Sequence, residues 1–142
     1  MSTEDNKAFI QRILDGLNQK NVAIIDELCT PDFVFHDPAN PQVRSREDFK
    51  QWFTGMCAAF PDLRFSLEDM LAEEDKAAYR YTFRATHSGS WRGGAPTGKS
   101  ITITATAIAR ITDGKSTELW QNTDALGLLQ QLGLFSTSAQ AE

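Results

Sequence analysis

Asp124, His36 and His87 are the side chains whose type and placement suit proton transfer. The chain holds two histidines, and each closes a predicted strand: Phe33 to His36 before Asp37-Pro38, and Ala77 to His87 before a glycine-rich loop. Histidine titrates near neutral pH, so either one could donate to a substrate oxygen or fix the protonation of a nearby carboxylate. Asp124 sits where a strand gives way to a helix. There it can cap the helix, work chemically at the end of a sheet, or do both. In a mostly apolar hollow, desolvation would raise its pKa toward a range useful for acid–base work.

Trp52, Phe60, Phe83, Trp91, Trp120 and Asn122 are the candidate substrate-binding residues: the aromatic faces suit a flat polycyclic or enone compound. Each candidate has a plainer reading beside it. His36 can bond backbone at the Asp37-Pro38 turn, and His87 can be a cavity rim opening the loop. The stripe Phe49, Trp52, Phe53, Met56 and Phe60 reads first as core, with its innermost members flooring a cavity. Glu118 reads as surface or rim. No metal and no cofactor is expected: the histidines lack i, i+4 or H-x-H spacing, and Cys29 and Cys57 lack C-x-x-C spacing and read as buried packing residues. No Ser or Cys sits in a nucleophile elbow. The loop from Ser88 to Ser100 opens no predicted helix and matches no phosphate-loop pattern; with Trp91 in it, it reads as a flexible connection or a lid.

The elements that must position these residues follow from periodicity. Ser2 or Thr3 caps a first helix, whose Ile10, Ile13, Leu14 and Leu17 share one face as far as about Gln19. A shorter helix starts at Asn21 and is ended by Pro31. Ser45 with Asp48 forms a capping box for a third helix, broken at Pro61-Asp62. Strands over Leu63–Leu71 and Ala77–His87 follow, the second with Tyr79, Tyr81, Phe83, Ala85 and His87 on one face. Ile101–Ile111 and Thr117–Thr123 flank Asp113-Gly114, the strongest short-range hairpin signal. A plain two-residue turn sets Trp120 opposite Ala107, Asn122 opposite Ala105 and Asp124 near Ile103, leaving a partly polar hollow. A three-residue loop with a bulge shifts the pairing by one and sets the threonines opposite that row instead. The plain turn is the weakly favoured reading. A last helix through Leu126, Leu129 and Leu132 stops at Gly133.

Helices first, then a short strand, a helix and consecutive antiparallel strands give an α+β fold, with helices packed over the concave face of a curved antiparallel sheet. At 142 residues, residues 1–142 read as one domain with an ordered core of about 3–135 and a frayed end after Phe135. A hydrophobic share of 41% and a net charge of −5, with Lys and Arg scattered, fit a soluble protein and exclude a nucleic-acid partner, which needs a basic stripe. No apolar run nears the roughly 20 residues that span a bilayer, so no membrane partner is expected. The opening MSTEDNK has the wrong composition for a secretory signal, which makes the cytoplasm the expected location.

Five pieces carry a resemblance: FVFHDPA at 33 to 39, AFPDLRF at 59 to 65, THSGSWRGGAPTGK at 86 to 99, RITDGK at 110 to 115, and ELW at 118 to 120 followed by Asp124. In this order and spacing, over roughly Asn6 to Gly133, the chain resembles the SnoaL-like polyketide cyclases of the superfamily built on the nuclear transport factor 2 cone. The resemblance implies an α+β cone, often a homodimer through its sheet, with a small hydrophobic molecule held inside. It also implies cofactor-independent chemistry, with an aspartate at the end of the last strand as acid/base; Asp124 is the matching position. The first helix lacks the tyrosine of a ketosteroid-isomerase oxyanion hole. Three functions stay open: a cyclase or isomerase acting on a small hydrophobic carbonyl compound, a binding protein using the same cone, and an epoxide hydrolase or dehydratase.

Overall fold

In a computed structural model, which describes residues 2–135, the elements run α1 (Thr3–Asn18), α2 (Ala23–Leu28), β1 (Cys29–His36), α3 (Arg46–Ala59), β2 (Arg64–Glu73), β3 (Lys76–Thr86), β4 (Ser100–Thr112), β5 (Lys115–Thr123) and α4 (Ala125–Leu132). The fraying expected after Phe135 concerns residues outside this range. The five strands form one curved, unclosed sheet in the order β1-β5-β4-β3-β2. The fold is the expected α+β class, with one difference: β1 runs parallel to β5, so the sheet is mixed. No helix among the described residues is long and apolar enough to cross a membrane.

Local chemistry sets the helix starts. Ser2 and Ser45 each accept from the amide three residues on, and Asp5 and Asp48 reach back to close both capping boxes. The backbone amide of Ser45, with that of Arg44, holds the Asp48 carboxyl below the usual carboxylate range. The second helix ends at Leu28, three residues before Pro31. The proline lies instead inside β1, which is an edge strand and therefore needs no donor there.

Strand alternation builds the core. On β4 the odd residues Ile101 to Ile111 are buried while Thr102, Thr104 and Thr106 are exposed. On β3 the inward row is Tyr79, Tyr81, Phe83 and Ala85. Phe9, Ile10, Ile13, Leu14 and Leu17 of α1 and Phe49 and Phe53 of α3 close over this concave face.

The β4–β5 hairpin differs from the plain-turn expectation. Asp113 and Gly114 both adopt positive φ (52° and 78°), as a two-residue type I′ turn requires. Thr112 pairs with Lys115 and Ile111 with Ser116, but Arg110 pairs with Glu118. Thr117 is thus an extra residue, a bulge that flips the rest of β5 to the other face. Trp120 pairs with Ile108 and Asn122 with Thr106, on the outer face, while Leu119, Gln121 and Thr123 pair with Ala109, Ala107 and Ala105.

The chain from His87 to Lys99 is tied at its base by His87 N–H to Lys99 O (2.9 Å) and Gly98 N–H to His87 O (2.8 Å). It also leans on the end of α3, where Ser88 and Gly89 both donate to Ala59 O. A Cβ at Gly89 would overlap the Ala58 carbonyl oxygen, whereas one at Gly55 in α3 would meet nothing. Gly89→Ala is therefore expected to lower stability by about 1–3 kcal/mol, as an overpacked site does. Gly55→Ala is expected to raise it by about 0.5–1 kcal/mol, since an exposed helical glycine carries excess unfolded-state entropy. Urea unfolding of both variants checks the pair; equal midpoints would refute the backbone contact.

Candidate functional site

The flipped register brings one inward amide, Gln121, into an otherwise apolar interior, and a chain of buried polar groups forms around it. The Tyr81 hydroxyl donates to Gln121 Oε1 at 2.8 Å, and Gln121 Nε2 donates to Asp37 Oδ2 at 3.1 Å. The same carboxylate accepts from Asn40 Nδ2 at 3.2 Å and from the backbone N–H of Ala39 at 2.9 Å. Asn40 Oδ1 in turn accepts from the Arg92 guanidinium at 3.2 Å. Asp37 is 4% exposed, and no cation pairs with it among the described residues. A carboxylate only accepts, so it fixes both amides: each turns its NH2 to Asp37 and its oxygen outward. Burial, with Tyr79 and Asp37 nearby, pushes the Tyr81 hydroxyl well above the usual tyrosine range, so it stays a donor.

Above this chain lies an apolar cleft with about 50 Å³ of room for the centre of a water-sized sphere. Its walls include Trp52 and Met56 of α3, Tyr81 and Phe83 of β3, Trp91 of the loop and Leu128 of α4. Asn40, Arg92 and Thr123 supply polar atoms at the same surface. The Arg92 guanidinium lies 4.6 Å from the Trp91 ring centre, a cation–π contact that holds both at the opening.

The residues singled out by sequence divide between this cleft and three other places. Trp52, Phe83 and Trp91 line the cleft. Phe60 stands behind it, fully buried and edge-on to Phe83 (5.9 Å) and Trp91 (6.1 Å). Trp120 and Asn122 lie on the outer sheet face, where Trp120 stacks on His36 at 5.5 Å. His36 is exposed there and pairs with Glu118 at 2.7 Å, and Glu118 also holds Arg110 at 3.1 Å. His87 is 1% exposed beside Phe60; its Nδ1 accepts from the Thr97 amide at 3.2 Å, and its Nε2 has no partner.

Asp124 is the N-cap of α4, exposed, with Oδ1 accepting from Gly127 N–H at 2.9 Å and its amide bonded to Thr104 O. Thr123 and Ala125 on either side of it line the cleft, but the carboxylate points to the cap, and the desolvated setting expected for it is absent. No hydrogen bond joins any two of Asp124, His36 and His87 among the described residues. No group of three His, Cys, Asp or Glu there is arranged for a metal. Cys29 is buried, which pushes its thiol up to about 12, whereas Cys57 is only half-buried. Sequence reading passed over Asp37, Asn40, Tyr81, Gln121 and Arg92 as chemistry. The one available signal was Gln121, polar between Leu119 and Thr123, and it is meaningful only in the bulged register.

None of the curated proteins compared with the chain matches it. Among solved structures, AclR from Streptomyces galilaeus, a candidate hydroxylase, shares 31% identity over 95% of this chain and 100% of its own, with a TM-score of 0.86. IdmH from Streptomyces antibioticus, a candidate polyketide cyclase, shares 29% over 90% of this chain and 98% of its own, at 0.81. TsrD from Streptomyces laurentii shares 26% over 95% and 99%, at 0.83. The model of the SnoaL-like polyketide cyclases matches residues 7–132, and the chain belongs to that family.

Proposed function

We propose that this protein binds a small, mostly apolar carbonyl compound in the cleft and moves a proton on it without a cofactor, as a cyclase or isomerase does. The observation that carries this reading is the convergence of the cleft's polar groups on one buried carboxylate, Asp37, that has no cation partner. Removing a proton next to a carbonyl needs a base, and the oxygen that gains charge needs donors. Asp37 uses three of its roughly four acceptor sites, and the remaining one is on Oδ1, beside Ala39 and Asn40 of the cleft wall. Asp37 is the base in this reading. The second N–H of Asn40 and the Arg92 guanidinium are the donors, while the Tyr81 hydroxyl, spent on Gln121, holds the amide that faces Asp37. Trp52, Phe83 and Trp91 stack the substrate, with Phe60 behind them. His87, with an unpartnered Nε2 next to Trp91, is a reserve donor.

Asp124 keeps its cap in this reading, and the acid/base role that the family resemblance gives it passes to Asp37. A binding protein is the second reading, favoured by the very completeness of the Asp37 hydrogen bonds. Hydrolase chemistry finds, among the described residues, no hydrogen-bonding group paired with the Asp124 carboxylate beyond its cap to hold a water.

The outer sheet face takes the place of a homodimer contact. Val34 and Ile108 are exposed there beside Trp120, Asn122 and His36. Ile108→Lys is expected to convert a dimer to monomer in light scattering, with an unchanged far-ultraviolet spectrum; a wild-type monomer would remove this part.

Hydrogen–deuterium exchange next to the carbonyl of β-tetralone in heavy water, followed by proton NMR, tests the chemistry. Asp37→Asn should lose about a hundredfold or more of the acceleration, the usual worth of a positioned base. Asp124→Asn should keep it, because Asn caps a helix as well as Asp does. The opposite result would return the role to Asp124. Binding without exchange in the wild type would leave a binding protein.

A further inference from the structure

Below the cleft the interior is not filled. A second void of about 30 Å³ lies beneath the first, sharing Trp52, Phe65 and Tyr81 with it. A third of about 20 Å³ lies beneath that, sharing Ile13, Phe49, Tyr79 and Leu119 with the second. The three descend in step with the strands. Phe83 and Tyr81 of β3 line the first, Tyr81 and Tyr79 the second, and Tyr79 the third; on β5 the order is Thr123, then Gln121 with Leu119, then Leu119 with Ser116.

The cause is in β4. Its inward row carries Ala105, Ala107 and Ala109, each 4% exposed or less, between the Tyr79–Tyr81 row on one side and Leu119–Thr123 on the other. Alanine is a poor strand former, and valine or isoleucine at 105 or 109 would narrow the first or the third void. The second and third voids have almost no polar lining to hold water. The Tyr81 hydroxyl is spent on Gln121 Oε1, Gln121 Nε2 on Asp37, and the Ser116 hydroxyl on Glu118 O. Dry voids that could be filled cost stability.

We propose that the cleft is the upper end of a channel for a linear apolar tail, so that the natural ligand is a carbonyl compound bearing an unbranched alkyl or acyl chain. This rests on the reading of the cleft as the carbonyl site and specifies its ligand. The carbonyl lies beside Asn40 and Arg92, and the chain runs down past Ala105, the Tyr79–Tyr81 row and Ala109 to Phe33 and Ser116. Four residues of strand separate Phe83 from Tyr79, roughly 13 Å, or about ten methylenes in extended form. A methylene chain is narrow enough to join the three voids with small side-chain rotations. A fused ring is not, and it stays in the cleft.

Calorimetric titration with methyl n-alkyl ketones, from butyl to undecyl chains, tests the channel. Affinity should rise about fourfold per methylene, the worth of one buried methylene, and level off near the decyl compound. Ala109→Leu plugs the lowest void and should bring that plateau about four carbons earlier while short chains bind as before. Should this variant not fold, Ala109→Val narrows the same point with a good strand former. Affinity independent of chain length, or a plateau that Ala109→Leu and Ala109→Val leave in place, would overturn the channel. If that occurs while β-tetralone still exchanges, the channel alone fails; if no ketone binds and none exchanges, the reading beneath it fails too.

Discussion

One residue of slack at Thr117 decides what the concave side of this sheet presents. Side chains alternate along a strand, so an extra residue on β5 exchanges its two faces from Glu118 onward. With the bulge, Leu119, Gln121 and Thr123 face the interior and Trp120 and Asn122 face out. Among the described residues, Gln121 is then the side chain that spans from Tyr81 to Asp37, and it bonds both. Without that bridge, Asp37 would be a buried carboxylate short of one donor and Tyr81 a buried hydroxyl without an acceptor, each a costly arrangement. The polar chain, the burial of the Asp37 loop and the shape of the cleft wall therefore hang on the same pairing.

Much of the fold was legible because it is written in local rules. Both capping boxes, the apolar faces of α1 and α3, the inward row Tyr79 to Ala85 and the Asp113-Gly114 turn depend on residues a few positions apart. The parallel pairing of β1 with β5 depends on residues more than eighty positions apart, such as Val34 with Glu118, and no local pattern encodes it. The bulge was undecidable for a different reason. Thr117 carries no glycine or other mark of a bulge, and both registers leave an acceptable alternation. The site inherited that ambiguity. Trp52, Phe83 and Trp91 were legible because elements other than β5 carry them, whereas Trp120, Asn122 and Gln121 exchange places with the register.

The two carboxylates illustrate how placement, not residue type, decides a role. Asp124 has an exposed side chain committed to the Gly127 amide, and solvent shares its charge. Asp37 is buried just after β1, and among the described residues its charge is shared by three N–H groups. A charge held by neutral donors in a dry setting responds strongly to any ligand that changes those donors. Asn40 and Ala39 are both cleft wall and Asp37 partners, so a ligand in the cleft touches the carboxylate's own hydrogen bonds. Nothing comparable links the cleft to the Asp124 side chain, although its neighbours Thr123 and Ala125 are part of the wall.

The interior shows the same economy of cause. Tyr79 and Tyr81 lie side by side, ring centres 6.1 Å apart, on the row facing the alanines of β4. The second void lies between these rings and Ile13, Leu17, Phe49 and Trp52 of the helices. The Tyr81 hydroxyl, pinned by Gln121, cannot swing down to close the second void. In the proposed reading the same hydrogen bond fixes the Gln121 bridge to Asp37 and keeps the passage beneath it open.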